Sequence, residues 1–135
     1  MQRLHLAMLL IAAAFACTAT AAADDASCDG HWQGHFINPL NRKEETADLT
    51  ITGSTGFWIT QLRVGQTSKG AACRAIRYPV RVHQCTASAL DLFVDGSKVL
   101  RGCPKFPVRL IRHGDDSAQG VKGGHHETLE MTRQR

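Results

Sequence analysis

The stretch DGHWQGHF, residues 29–36, decides the fold class of this chain. In it Trp32, Gly34 and Phe36 alternate with polar side chains, and a period of two is typical of a strand with one buried and one solvated face. The same alternation recurs in five further segments, at positions 48–52, 80–83, 90–94, 106–110 and 128–132. The chain is therefore expected to be all-β and antiparallel, because antiparallel sheets commonly keep one face in solvent.

Short connections rich in turn residues separate these segments. We interpret Asp95-Gly96-Ser97 as a three-residue hairpin loop that pairs residues 90–94 with 99–103 and places Asp91 opposite Arg101. Seven or eight short strands joined in this way, without the long crossovers of a Greek key, predict a small antiparallel up-and-down barrel.

The N-terminus has the features of a secretory signal peptide. A positively charged start precedes an unbroken apolar run over residues 6–16, and small residues follow, ending in Ala21-x-Ala23. This order predicts a signal peptide over residues 1–23 and a single mature domain over 24–135. The run is too short for a permanent transmembrane helix, which needs roughly 20 apolar residues, and no later stretch comes close. The domain is therefore expected to be periplasmic or secreted.

The five cysteines are interpreted in the light of this export. Cys17 follows Ala14-Phe15-Ala16, a poor match to a lipoprotein cleavage box, so we expect it to be removed with the signal and not to carry a lipid. An even number of remaining cysteines predicts two disulfides that staple the domain, and no spacing is C-x-x-C. Four cysteines allow three connectivities. Strand parity favours Cys28–Cys73 with Cys85–Cys103.

The charge balance is mildly basic, with 16 Lys and Arg against 12 Asp and Glu and a formal net charge of +4. Arg81, Arg101 and Arg109 have outward parity on strands expected to lie close together. They would form a docking face for an acidic envelope protein or an anionic envelope polymer, or else a solvated face whose charges prevent aggregation. No aromatic residues interleave with them in the sequence, so nucleic acid is not an expected partner.

Metal binding and catalysis find little support in the sequence. His31 and His35 would share one face of the first strand, but their Cα atoms would lie roughly 13 Å apart, too far to share one ion. In the expected antiparallel pairing of the first and last strands, His125 would lie opposite residue 40, well past His35, and so could not share a metal ion with these histidines. No G-x-S-x-G segment occurs, and the inward positions are nearly all apolar, which leaves no buried acid or base to tune. We therefore expect no catalytic residue, no metal and no cofactor, and interpret the chain as a non-enzyme.

Gly30-His31-Trp32 resembles the G-x-W motif of the calycin barrels, the group of lipocalins and avidin-like proteins. In that group the Trp closes one end of the barrel beneath an Arg from the last strand. Arg133 has the inward parity of Leu129 and Met131, so Trp32 and Arg133 match the two residues that would stack. The chain is shorter than lipocalins and lacks their C-terminal helix and other motifs. The resemblance implies a barrel that binds a small apolar ligand at its open end.

Two functions remain open from the sequence. The first is an exported binding protein for an unknown small apolar ligand, lined by inward residues that include Trp32, Phe36, Val82, Leu92 and Met131. The second is a periplasmic protein inhibitor or immunity protein with a filled interior. It would act through the basic face, through the connection Asn38–Thr46 or through the arm Asp24–Ser27. A hollow interior would favour the first function and a filled one the second, and inward apolar positions look alike in both.

Overall fold

A computed structural model describes residues 26–39, 41–65, 71–124 and 126–135 of the chain. The predicted signal peptide, with Cys17 and the cleavage site before Asp24, lies outside these residues, and so does His125. Among the described residues, no helix is long and apolar enough to cross a membrane.

The described residues form a closed antiparallel barrel in which each strand pairs with the next and the last pairs with the first. This architecture confirms the predicted all-β up-and-down barrel. It has eight strands: β1 (Gly30–Ile37), β2 (Glu44–Thr52), β3 (Thr55–Thr60), β4 (Tyr78–Cys85), β5 (Ala89–Asp95), β6 (Lys105–Arg112), β7 (Ser117–Lys122) and β8 (Glu127–Gln134).

The barrel interior is filled by apolar side chains. Alternation along each strand sends one set inward, and the bulkiest of these side chains, including Trp32, Trp58 and Tyr78, are almost completely buried. Packing is close: a methyl group added at Gly34 would lie 2.6 Å from the Met131 sulfur. Such close contact is typical of a protein core.

The first and last strands close the barrel through the contact expected from the sequence. Trp32 pairs with Arg133 across β1 and β8, and the Arg133 guanidinium lies 4.7 Å from the Trp32 ring centroid. The indole Nε1 donates a hydrogen bond to the Cys28 carbonyl at 3.0 Å, and Arg133 Nη2 donates to the Ser27 carbonyl at 2.7 Å. These contacts seal one end of the barrel, which we call the closed end.

The predicted hairpin over residues 90–103 is wrong. Residues 96–98 form a 3-10 turn, the segment that follows is not a strand, and Asp91 faces Arg109 of β6 instead of Arg101. Gly96 explains the difference, because it is buried and its amide donates to the Pro104 carbonyl at 3.0 Å. A side chain at this position would meet the Tyr78 ring at 2.6 Å, so the chain folds inward here and cannot continue as a regular hairpin.

The expected disulfide pairing is also wrong. Cys28 bonds to Cys85, with a Cα–Cα distance of 6.1 Å, and Cys73 bonds to Cys103, at 5.3 Å. The physical reason is the topology: β4 ends beside the segment that precedes β1, whereas Cys73 precedes β4 and so lies at the opposite end of the barrel. Each bridge therefore staples one end.

Tryptic digestion without reductant tests this connectivity. We expect the peptide of residues 70–74 to be linked to the peptide of residues 102–105, because these contain Cys73 and Cys103 and are bounded by Lys and Arg. The peptide of residues 82–98 would be linked to the one that contains Cys28. Mass spectrometry would contradict this connectivity if it found residues 70–74 linked to the Cys28 peptide.

Replacement of the arginine at the closed end tests the closure. R133A is expected to lower the free energy of unfolding by about 1–3 kcal/mol, since it removes a cation–π contact and a hydrogen bond to a carbonyl. R135A, two residues later, is the matched control, because Arg135 is 82% exposed and pairs only with Asp116 among the described residues; its effect should stay under about 1 kcal/mol. Equal losses in urea unfolding would show that the Trp32–Arg133 contact does not close the barrel.

Candidate functional site: the mouth of the barrel

The end of the barrel opposite Trp32, which we call the mouth, holds a cavity of about 350 Å³. Residues from seven strands and three connections, many of them aromatic or charged, surround it. The lining consists of Phe36, Asn38, Glu45, Thr60, Cys73, Arg74, Tyr78, Pro104, Phe106, Lys122 and Glu127. The cavity therefore combines apolar walls with fixed charges of both signs.

The carboxylate of Glu45 organises one side of the mouth. Glu45 is the second residue of β2 and points inward, where only 5% of its surface stays exposed. Guanidinium groups of Arg63 and Arg74 donate to its two oxygens, and Asn38 Nδ2 donates to it at 3.0 Å. Arg74 also donates to the Gln61 carbonyl at 2.8 Å. The buried charge is thus compensated by two cations and an amide.

These contacts decide the ionisation of Glu45. Burial raises the pKa of this carboxyl, but hydrogen bonds from Arg74, Arg63 and Asn38 outweigh burial and leave its pKa below the ordinary value. The group is therefore ionised wherever the protein is folded near neutral pH. A permanent negative charge sits at this side of the mouth.

A second charged pair lies across the cavity. The ammonium of Lys122 lies 2.9 Å from a Glu127 oxygen and 4.4 Å from the centroids of both the Phe36 and the Phe106 rings. The Phe106 ring in turn meets Trp58 edge to face, with centroids 5.5 Å apart. Two aromatic rings and one carboxylate thus hold the Lys122 ammonium in place.

Tyr78 and the disulfide form the third side of the mouth. The Tyr78 hydroxyl donates to the Cys73 carbonyl, and Cys73 is bonded to Cys103. Burial raises the pKa of the Tyr78 phenol, while the Arg74 charge acts in the opposite direction. The phenol therefore stays protonated and serves as a hydrogen-bond donor that fixes the loop before β4.

The expectation of an apolar interior without buried acids or bases is wrong at both ends of the barrel. Glu45 is buried at the mouth and Arg112 at the closed end, where its Nη1 donates to the Thr86 carbonyl at 2.8 Å. The signal for Glu45 is present in the sequence, because it shares the parity of Ala47, Leu49 and Ile51. Because Glu45 follows Lys43 and Glu44, the segment has the composition of a loop in the sequence. The predicted connection Asn38–Thr46 is shorter than expected, since β2 begins at Glu44.

The predicted ligand residues do not meet in one cavity. Of Trp32, Phe36, Val82, Leu92 and Met131, only Phe36 lines the mouth. Trp32, Leu92 and Met131 are buried within the filled core. Val82 is only partly buried and lies beside a bulge in the pairing of β4 with β5.

The predicted partner residues separate into two groups. Arg81 on β4 and Arg109 on β6 point outward on either side of β5, as expected from their parity. Arg101 is exposed but lies in the segment between the 3-10 turn and β6, and not on a strand. Of the predicted arm Asp24–Ser27, the described Ser27 is held by Arg133 and does not project freely.

The two histidines of β1 each lie near a carboxylate on β2. His31 Nε2 lies 3.2 Å from Asp48, and His35 Nδ1 lies 3.5 Å from Glu44. No group of three or more potential metal-ligating residues occurs within the described ranges. Comparison with protein-family models, with curated proteins and with solved structures finds no match to this chain in any of the three.

Substitution of the mouth carboxylate tests the charge cluster. E45Q is expected to lower the free energy of unfolding by about 2–4 kcal/mol at pH 7, because it leaves two partly buried guanidinium groups without their counter-charge. The pKa of Glu45 lies below its ordinary value of 4.5, so the carboxylate stabilises the fold above that pH. This stabilisation is lost as the pH falls through the lower pKa of the folded state.

Urea unfolding of wild type and E45Q between pH 7 and pH 3 is the measurement. The difference between the two proteins should shrink below about pH 4.5. E130Q, on the exposed face of β8, is the control and should change stability by less than about 0.5 kcal/mol at either pH. A difference for E45Q that stays constant over this range would show that the carboxylate is not held by charge.

Proposed function

We propose that this chain is a non-enzymatic binding protein that holds a small organic anion in the mouth of its barrel. The observation that carries the proposal is the sharing of one carboxylate, that of Glu45, by the guanidinium groups of Arg63 and Arg74. Arg74 lines a cavity of about 350 Å³, and Arg63 reaches the Glu45 carboxylate at the wall of this cavity.

Lys122, which is paired with Glu127, contributes a further cation to the wall of the cavity. These groups are largely removed from solvent: the exposed fraction of the side chain is 15% for Arg74 and 13% for Lys122. An anion that enters the cavity therefore meets cations that are weakly screened by water.

The aromatic lining indicates the body of the ligand. Phe36 and Phe106 hold Lys122 between their rings and contribute the small unburied part of their surface to the cavity wall. A flat aromatic or short aliphatic group would pack there, with its carboxylate directed to Lys122 and Arg74. The volume falls at the lower end of the range of small-molecule sites, about 300–1,000 Å³, and so favours a compact ligand.

This proposal modifies the apolar ligand expected from the sequence. The apolar centre of the barrel is filled, and the space that remains is at the end where charges lie. An amphipathic anion suits this arrangement better than a fully apolar molecule, because a molecule without a charge would cover Arg74 and Lys122 without compensating them.

We further propose that the chain acts in an oxidising compartment, the periplasm or the outside of the cell, after removal of residues 1–23. The two disulfides fit such a compartment. The resemblance of Gly30-His31-Trp32 to the calycin motif supports a ligand at the open end, since Trp32 and Arg133 occupy the opposite end.

A pair of matched probes tests the proposal by isothermal titration calorimetry. The first is 2-naphthoate and the second is 2-naphthamide, which has the same rings without the charge. We expect the anion to bind at least about tenfold more tightly, as a charge-assisted hydrogen bond contributes roughly 1.5–3 kcal/mol.

Three substitutions place that binding in the mouth. K122Q should weaken 2-naphthoate binding by about tenfold, and E127Q should strengthen it, because Lys122 then lacks its internal partner. K98Q, on the outside of the barrel, is the control and should have no effect. Equal binding of the acid and the amide, or an unchanged affinity in K122Q, would contradict the proposal.

A further inference from the structure

The outward face of β3 to β6 differs from the rest of the barrel surface. It carries two phenylalanines and two prolines together with a group of basic side chains. We call this surface the basic wall and define it by Phe57, Arg77, Pro79, Arg81, Phe93, Lys98, Lys105, Pro107 and Arg109. The sequence alone does not reveal the basic wall, because the phenylalanines come from strands distant in sequence from most of the arginines.

An apolar strip crosses the basic wall. Phe57 lies opposite Pro79 across β3 and β4, and Phe93 lies opposite Pro107 across β5 and β6. Phe57 stays 45% exposed, with the Arg77 guanidinium 4.9 Å from its ring centroid. Neither proline has an amide hydrogen that could bind a polar group. The strip therefore presents the carbon atoms of rings and side chains to solvent.

A groove of about 290 Å³ lies within this strip. Pro79 and Phe93 form its apolar part, and Arg81, Lys98 and Asp95 lie around it. Asp95 is engaged locally: it accepts a hydrogen bond from the Ser97 hydroxyl at 2.5 Å. The groove therefore presents an apolar pocket with two cations available at its margin.

The charges of the basic wall are largely uncompensated. Five cations stand against two carboxylates, Asp91 and Asp95. In the part of the chain that the structure describes, the ion pairs involve other residues, and none includes Arg77, Arg81, Lys98, Lys105 or Arg109. The basic wall therefore carries three more cations than carboxylates.

We propose that the basic wall docks an acidic segment of a partner protein, which inserts one aromatic or large aliphatic side chain into the groove between Pro79 and Phe93. Carboxylates of the segment would pair with Arg81, Lys98 and Arg109. Exposed aromatic and arginine side chains around a pocket are the composition of an interface hot spot, and the field of the wall would speed association with an acidic partner. This inference does not depend on a ligand in the mouth.

A second copy of the chain fits the basic wall less well. The outward faces of β8, β1 and β2 carry the carboxylates Glu44, Asp48 and Glu130 with no Lys or Arg. Two of these carboxylates already lie beside His35 and His31. Contact between such different faces would also be heterologous and would generate rings or open-ended chains instead of a two-fold dimer.

Nuclear magnetic resonance titration of the ¹⁵N-labelled mature protein tests the proposal. The probe is a short peptide of Glu and Asp with one central Phe, and the matched probe has Ser in place of that Phe. We expect the shifts to cluster on β3 to β6 and the Phe peptide to bind at least about fivefold more tightly, as one aromatic side chain is buried. Inorganic polyphosphate is the probe for charge alone.

Two substitutions that change the charge by the same amount locate the contact. R81E should weaken binding of the Phe peptide by about tenfold, whereas K43E, an exposed lysine between β1 and β2, should change it less than about twofold. F57S gives a third measurement at an exposed position and should weaken binding without loss of the folded spectrum.

Several outcomes would overturn the proposal. One is an absence of shifts, and another is shifts confined to the mouth. Equal affinity for both peptides and for polyphosphate would indicate a surface for polyanions in general. A molar mass that rises with concentration in light scattering and falls in R81E would show that the wall joins copies of this chain.

Discussion

The pairing of β1 with β8 is the constraint on which the remaining structure depends. It converts a row of eight strands into a closed sheet, so that no strand keeps an unpaired edge and every inward side chain has neighbours on both sides. Trp32 lies between Leu49 and Arg133 in this closed register. Because an eight-stranded barrel has little more interior than its own side chains fill, the surfaces left to contact other molecules are the mouth and the outer wall.

The two ends of the barrel handle buried charge in different ways. At the closed end Arg112 donates to the Thr86 and Asp115 carbonyls and lies 3.7 Å from the exposed Asp115 carboxylate. At the mouth a carboxylate is the buried group, and cations come to it from a connection outside the sheet. The buried cation is thus surrounded mainly by carbonyls, whereas the buried carboxylate is surrounded by cations.

Much of the fold could be predicted from the sequence because period-two alternation and inward parity are local properties. They give the strand class and the outward direction of Arg81 and Arg109, whereas the Trp32–Arg133 contact follows from the resemblance to the calycin barrels. The strand Ser117–Lys122 was not predicted because it contains few apolar residues. The segment 99–103 was wrongly predicted as a strand because the burial of the nearby Gly96 depends on the tertiary fold and cannot be recognised in the sequence. The disulfide partners and the meeting of Arg63 with Arg74 depend on topology, and no local pattern in the sequence encodes them.

The structure of the mouth depends on formation of the disulfide between Cys73 and Cys103. Cys73 directly precedes Arg74, so the covalent bond that fixes this backbone also fixes one of the two guanidinium groups on Glu45. A newly made chain with free thiols lacks this restraint and must leave the carboxylate with a less ordered partner. The mouth is thus completed by oxidation as well as by folding, so it assembles fully only where thiols can be oxidised.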